Sequence, residues 1–291
     1  MIPRVAAVSL HHGEEPPISG TRGSGNIFFS GCSLNCSFCQ NYPISQLGVG
    51  RDMSVDELAE AMLTLERRGA HNINLVTPTA MIPQIASAVV LARSDGLSLP
   101  VIYNTNGYES PATLAALEGI IDVYLPDMKY AEDQYAMQYS GAPDYVIHNR
   151  QALKTMHDQV GHLRMTGGLA VRGLIVRHLI LPVGRSGTGE VLAYLSSNYG
   201  PDLYLSLMSQ YFPAYRALDD PVIGRRLNQM EHHWSMEQLD REGFRRGWCQ
   251  KYSEGISGFQ ASAGRPEHSG TQDGTGGIVC NSSRRLSSVP S

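Results

Sequence analysis

Between residues 26 and 208, short apolar runs alternate with longer stretches whose apolar positions recur at helical spacing. The runs are Asn26–Ser30, Asn72–Pro78, Pro100–Gly107, Ile120–Pro126, Ala170–Pro182 and Leu203–Met208. Each is bounded by Gly, Pro, Asn or Ser and has the length of a buried strand. The first helix opens at Ser54, with Glu57 three residues on as a capping box. It carries Val55, Leu58, Ala59, Met62, Leu63 and Leu65 on one face and stops at Gly69. Further helices are predicted over Ile82–Arg93, Pro111–Leu117 with Ser110 as cap, Tyr130–Tyr139, Asp144–Val160 and Gly189–Ser197. About six βα units in series predict an α/β fold with a parallel sheet and helices outside it. Right-handed crossovers curl such a sheet, and six units are too few to close an eight-stranded barrel. The pattern predicts a partial barrel with an open side.

The flanks read differently. Residues 1–25 are predicted to be an irregular arm, because Glu14-Glu15-Pro16-Pro17 cannot be a helix interior. Its Gly20–Gly25 stretch precedes a strand instead of following one, so it reads as a tight entry loop and not as a phosphate cradle. The barrel is assigned to residues 26–215 and a helical extension to 216–252. Residues 253–291 are Gly- and Ser-rich with few large apolar side chains, and are predicted to be a disordered tail.

The chain has 291 residues, is 42% hydrophobic, and has a net charge of −4 from charges scattered with both signs. That excludes a basic footprint for nucleic acid. No apolar run reaches export-signal or membrane-span length, so a cytoplasmic, reducing setting is the expectation.

Three of the five cysteines, Cys32, Cys36 and Cys39, fall within Gly31–Asn41 at C-x3-C-x2-C spacing, directly after the first strand. Three thiolates on a four-iron cluster leave one iron with open coordination, where a small molecule binds and reacts. A structural zinc site would need a fourth ligand such as His11, His12 or His71. A disulfide framework belongs to small, oxidised, cysteine-dense domains, which this chain is not. Cys249 and Cys280 lie far along the sequence.

Polar residues cluster at the C-terminal ends of the predicted strands, the end where such sheets bind ligands. They are Thr77 and Thr79, then Asn104 and Asn106, then Asp127 and Lys129, and finally Arg177. His178 beside it reads as a satisfied core histidine. Gly184–Gly189 lacks the Gly-Lys-Ser/Thr of a P-loop and reads as a loop near the cavity mouth. Tyr199–Tyr215 reads as core and rim.

With Phe38 inserted, the motif Cys32, Cys36, Phe38, Cys39 resembles the signature of the radical S-adenosylmethionine (radical SAM) enzymes. The resemblance implies a partial (β/α)6 TIM-like barrel and one [4Fe-4S] cluster on the three cysteines. It also implies S-adenosylmethionine bound through its amino and carboxylate groups to the open iron. Reduction by a one-electron donor such as flavodoxin or ferredoxin would then release a 5′-deoxyadenosyl radical for hydrogen abstraction. The seven polar residues at the strand ends would hold the rest of S-adenosylmethionine, and Phe38 would shield the cluster. Thr105-Asn106-Gly107, Asp127-Met128-Lys129 and Arg177–Pro182 further resemble the pyruvate formate-lyase activating enzyme branch. That implies a glycine in a partner protein or peptide as substrate. The arm Glu14–Gly25 resembles an uncharacterised subgroup of that branch, whose cysteine-rich N-terminal segment does not appear here, implying a short or incomplete form. The branch's Gly-Gly-Glu element is replaced by Val76-Thr77-Pro78-Thr79, and Asn104 stands where an Asp is usual. The rival reading is a non-catalytic iron–sulfur or metal-binding protein, an electron carrier or sensor.

Overall fold

The computed structural model describes residues 2–252. The Gly- and Ser-rich segment 253–291, with Cys280, lies outside the described residues. The strands are β1 (Arg4–His11), β2 (Ser24–Phe29), β3 (Arg51–Asp52), β4 (Ile73–Val76), β5 (Val101–Thr105), β6 (Val123–Pro126), β7 (Arg164–Thr166), β8 (Leu169–Leu179), β9 (Tyr204–Met208) and β10 (Arg246–Cys249). The α-helices are α1 (Pro16–Ser19), α2 (Tyr42–Ser45), α3 (Val55–Arg67), α4 (Ile82–Ser94), α5 (Pro111–Ala115), α6 (Asp133–Ser140), α7 (Tyr145–Val160), α8 (Thr188–Tyr199) and α9 (Gln229–Arg241).

The strands form one curled sheet in the order β10-β9-β8-β6-β5-β4-β2-β1-β3, with β7 as a hairpin partner of β8. β2, β4, β5, β6, β8, β9 and β10 run parallel. This is the partial TIM-like barrel that the alternation predicts. All six predicted strands are present. The seventh parallel strand, β10, comes from a segment whose amphipathic pattern reads as helical, and α9 is the part of that segment that is a helix.

Local signals explain most elements. The capping box of α3 is formed: the Glu57 amide donates to Ser54 Oγ at 3.1 Å, and the Ser54 amide to Glu57 Oε2 at 2.7 Å. Leu58, Ala59, Met62 and Leu65 are its buried face. The β7–β8 hairpin turns on Gly167 and Gly168, both with positive φ, as a two-residue primed turn requires.

Alternation along each strand sends side chains to opposite sides of the sheet. Val101 and Tyr103 pack in one core with Leu58 and Met62 of α3 and Ile85 of α4, so that side faces the helices. Ile102, Leu125, Ile175 and Tyr204 pack in a separate core, which is the barrel lumen. Ile18 joins this second core and is fully buried.

That placement corrects the reading of the arm as irregular. Residues 4–11 are a strand antiparallel to β2. Pro16 and Pro17 sit in the first turn of α1, where their missing amides leave no helical bond unmade. α1 carries Ile18 into the lumen. The two prolines that exclude a helix interior are the ones that start this short helix.

Candidate active site

The cysteine loop follows β2 and is held by backbone bonds from distant segments. The Asn35 amide donates to Ser140 O at 2.9 Å, and the Ser37 amide to Tyr139 O at 2.7 Å. The loop thus lies along the end of α6, which Gly141 terminates in the left-handed conformation. From the other side, the Ala217 amide donates to Ser37 O at 2.9 Å, and Arg216 Nη2 donates to Asn35 O and Oδ1 at 2.9 and 2.8 Å. Phe38 is buried and meets the Tyr211 ring edge-on at 5.8 Å.

Cys32, Cys36 and Cys39 are free thiols. Asn106 Nδ2 donates to Cys32 Sγ at 3.3 Å, with the Leu34 amide at 3.4 Å. Ser140 Oγ lies 3.0 Å from Cys36 Sγ, and Ser45 Oγ lies 3.2 Å from Cys39 Sγ. Burial pushes the Cys36 thiol up to about 11, against the pull of the Lys129 charge and the Ser140 hydroxyl. Burial also raises Cys32, against the Leu34 amide, Asn106 and Lys129. Metal bonding displaces such protons.

Among the described residues, no three His, Cys, Asp or Glu side chains gather as they would around a single ion. A cubane does not require that, since each thiolate takes a different iron. An all-thiolate set, partly buried, with a hydrogen-bonding group at every sulfur and a cation nearby, fits an iron–sulfur cluster. The histidines considered for zinc stand elsewhere. His11 pairs with Ser24 at the start of β2, and His71 Nε2 accepts from the Thr21 and Arg22 amides just before it. The cysteines follow the other end of that strand, ~20 Å away at about 3.3 Å per residue.

Below the loop, the lumen holds a chain of buried charges. Arg177 Nε donates to Asp127 Oδ1 at 3.2 Å, and Arg177 Nη1 lies 3.3 Å from Glu14 Oε2 and 3.9 Å from Glu15 Oε2. Lys129 Nζ donates to the other Asp127 oxygen. Glu14 Oε1 accepts from Asn26 and Asn74 at 2.8 and 3.2 Å. Burial works against the Asp127 charge, but Lys129 and Arg177 outweigh it and hold the carboxyl below its ordinary value. Burial likewise pulls on Lys129, and Asp127 with Cys36 lifts it above its ordinary value. Burial raises Glu15, with Arg177 and the nearby Ser206 hydroxyl opposing. Three acids therefore share two bases.

The seven strand-end residues separate into groups. Asp127, Lys129 and Arg177 come together, and Asn106 reaches the cysteine loop, also donating to Ser33 Oγ at 2.9 Å. Asn104 is on the lumen face with Ile102, and its carbonyl accepts from the Thr77 amide at 2.9 Å. Thr77 has φ 58, a left-handed conformation costly for a β-branched residue, at the place where the Gly-Gly-Glu element is replaced. Thr79 is not with the others. Its hydroxyl donates to Glu109 Oε1 at 2.6 Å, shared with Thr105 Oγ1 at 2.6 Å and Tyr103 OH at 3.1 Å, on the helix-facing side of β5.

His178 is a satisfied core residue. Nδ1 meets Met128 O at 2.6 Å and Nε2 meets Thr188 Oγ1 at 3.0 Å, and burial lowers it to about 4. The Gly184–Gly189 loop packs on the Asp127–Ala131 segment, where the Ala131 amide donates to Ser186 O at 3.1 Å. Tyr211 is core, its hydroxyl donating to Ile223 O at 2.7 Å.

Sequence reasoning missed Glu14, Glu15, Ser45, Ser140 and Ser206. Two adjacent acids before two prolines were a usable signal, since buried acids need cations. The serines offered none.

A family model described as the Radical SAM superfamily matches residues 26–168. The uncharacterized protein MJ0674 of Methanocaldococcus jannaschii is 28% identical over 243 residues, covering 80% of this chain and 65% of that protein. The FeFe-hydrogenase maturase HydG from Carboxydothermus hydrogenoformans superposes with a TM-score of 0.54 at 12% identity, covering 78% of this chain and 53% of its own. Methylornithine synthase (PylB) gives 0.50 at 17% identity, over 77% of this chain and 64% of its own. The structure of anSMEcpe with bound AdoMet gives 0.50 at 11%, over 73% and 57%. At these identities the structural likeness is one of fold, and the chain spans less than two thirds of the length of each of these relatives. The pyruvate formate-lyase activating enzyme branch finds no support in these matches. Among the described residues, no helix is long and apolar enough to cross a membrane.

Proposed function

From the match of residues 26–168 to the Radical SAM superfamily model, we propose that this chain binds a [4Fe-4S] cluster through Cys32, Cys36 and Cys39 and cleaves S-adenosylmethionine reductively. The cluster and S-adenosylmethionine are the cofactors of that family. When bound, a cluster reduced by an external one-electron donor would pass that electron to the sulfonium of S-adenosylmethionine, and breaking the C–S bond would give methionine and a 5′-deoxyadenosyl radical for hydrogen abstraction. The observation that supports this reading best is the hydrogen bond from Asn106, at the C-terminal end of β5, to Cys32 Sγ. It brings the three-thiol loop to the end of the parallel strands where such sheets bind ligands.

The chain's own residues have definable parts. Phe38 and Tyr211 exclude water beside the loop. Asn106 orients Cys32 and Ser33 together. Asp127 offers a buried carboxylate for an ammonium group, held ionised by Lys129 and Arg177. Lys129 and Arg177 place positive charge where a carboxylate or ribose is to be held, and positioning of this kind is much of catalysis. Thr77 and Asn104 complete the proposed S-adenosylmethionine contacts, and Thr79, whose hydroxyl is engaged by Glu109, is left out of them.

The narrower reading, a glycine in a partner protein or peptide as hydrogen donor and a flavodoxin or ferredoxin as reductant, rests on the Thr105-Asn106-Gly107 and Asp127-Met128-Lys129 pattern. Anaerobic reconstitution followed by S-adenosylmethionine and dithionite tests the broader reading. 5′-Deoxyadenosine is expected. An intact cluster with no 5′-deoxyadenosine would instead favour the non-catalytic carrier or sensor.

A further inference from the structure

We propose that Ser140, backed by Tyr130, tunes the reduction potential of the cluster through Cys36, an inference that rests on the three-cysteine ligand set above. Ser140 Oγ lies 3.0 Å from Cys36 Sγ, and Tyr130 OH lies 2.6 Å from Ser140 Oγ. Ser140 and Tyr130 are both fully buried.

Ligand chemistry fixes the direction of this chain. A metal-bound thiolate has no proton to give, so Ser140 donates to the sulfur. The serine oxygen is then left to accept, and Tyr130 donates to it. Two donors in series polarise one another, and water does not compete at a buried site.

The serine cannot drift from the sulfur. Ser140 O accepts the Asn35 amide at 2.9 Å and Tyr139 O accepts the Ser37 amide at 2.7 Å, so both neighbours of Cys36 are pinned to the α6 end that carries Ser140. The other two sulfurs have looser settings. Cys32 accepts from Asn106 and the Leu34 amide, and Ser45 beside Cys39 is backed by Gln46 Nε2 at 3.3 Å instead of a buried hydroxyl, and both sulfurs belong to residues less buried than Cys36.

Reduction adds negative charge to the cluster and its sulfurs. A donor on a ligand sulfur stabilises the reduced form more than the oxidised one and raises the potential. Ser140 and Tyr130 therefore make the cluster easier to reduce. They act on the electron transfer into the site and do not touch the substrate, so they are positioning residues.

The test compares wild type, Ser140→Ala, Ser140→Thr and Tyr130→Phe after anaerobic reconstitution. Iron and acid-labile sulfide are assayed first, then the midpoint potential by redox titration followed by electron paramagnetic resonance. With iron and sulfide at wild-type content, Ser140→Ala is expected to shift the midpoint to more negative potential. Tyr130→Phe shifts it the same way by less, and Ser140→Thr restores the wild-type value. A fully loaded Ser140→Ala protein with an unchanged midpoint overturns the proposal. Should Ser140→Ala take up no cluster, Tyr130→Phe decides the matter, and an unchanged midpoint there overturns it equally. A wild-type protein that binds no iron removes the ligand reading, and this proposal with it, at the first assay.

Discussion

The cysteine loop and the arm are both non-repetitive segments next to β2, yet they are organised by opposite physics. The loop, Gly31–Asn41, is fixed chiefly by neutral hydrogen bonds: backbone amides to α6, a hydroxyl or amide at each sulfur, and Ser37 O accepting from Ala217, with the Arg216 guanidinium on Asn35 as a charged addition at its rim. The arm, around Glu14 and Glu15, is fixed by ions in the lumen, chiefly Arg177. Neutral bonds are individually weak, and losing one is local. A buried ion left without its partner is not local, because every remaining charge in the chain loses compensation. The comparison teaches that the segment bearing the chemistry is built to tolerate small changes, and the segment supporting it is not.

The sharpest way to break the comparison is at the loop's chemistry. Cys36→Ala is expected to abolish cluster uptake, read as iron and sulfide content at background after reconstitution, while the fold persists by circular dichroism. Arg177→Met comes next, leaving Glu14, Glu15 and Asp127 with Lys129 alone. Removing one partner of buried charges destabilises by about 3–5 kcal/mol, to be read by urea denaturation, and adding Glu14→Gln should recover part of it. Equal stability of Arg177→Met and wild type would show that the arm is not held by ions.

A third effect is pH-dependent. Burial lowers His178 to about 4, against the Met128 carbonyl and Asp127, which act upward. The unfolded chain protonates this residue near 6.5, so the stability held by neutral His178 is present above that pH. It is lost as pH falls from there toward 4. At about 1.4 kcal/mol per pH unit the loss approaches roughly 3 kcal/mol. Denaturation midpoints at pH 7 and pH 4 should differ more for wild type than for His178→Gln. The smallest effect is expected at the arm's apolar anchor: Ile18→Val removes one buried methylene in the lumen and should destabilise by about 1 kcal/mol, measured by thermal unfolding.

Much of this was legible in the chain because it depends on near neighbours. The barrel strands follow from local alternation and bounding glycines, and the α3 cap from Ser54 and Glu57 three residues apart. The cysteines declare themselves by spacing within eight positions. What was not legible depends on topology. Ser140 meets Cys36 over 104 positions, and Glu14 meets Arg177 over 163. The place of Thr79 just after β4 puts it among the strand-end residues expected at the ligand-binding rim. The one-turn 3-10 helix that begins there turns its hydroxyl to Glu109 outside the lumen. β10 was hidden because a four-residue edge strand offers too few positions to separate a period of 2 from 3.6.

The long separation between Glu14 and Arg177 also bears on how the chain is made. On a ribosome the groups facing the three sulfurs have all been added by Ser140, so the loop can close against α6 early. Glu14 and Glu15 emerge ahead of the parallel strands but have no lumen cation until Lys129 and Arg177 follow, and Ser206 comes later still. A nascent chain must therefore keep its first α-turn hydrated while most of the barrel is synthesised, and draw it inward only once the eighth strand is in place.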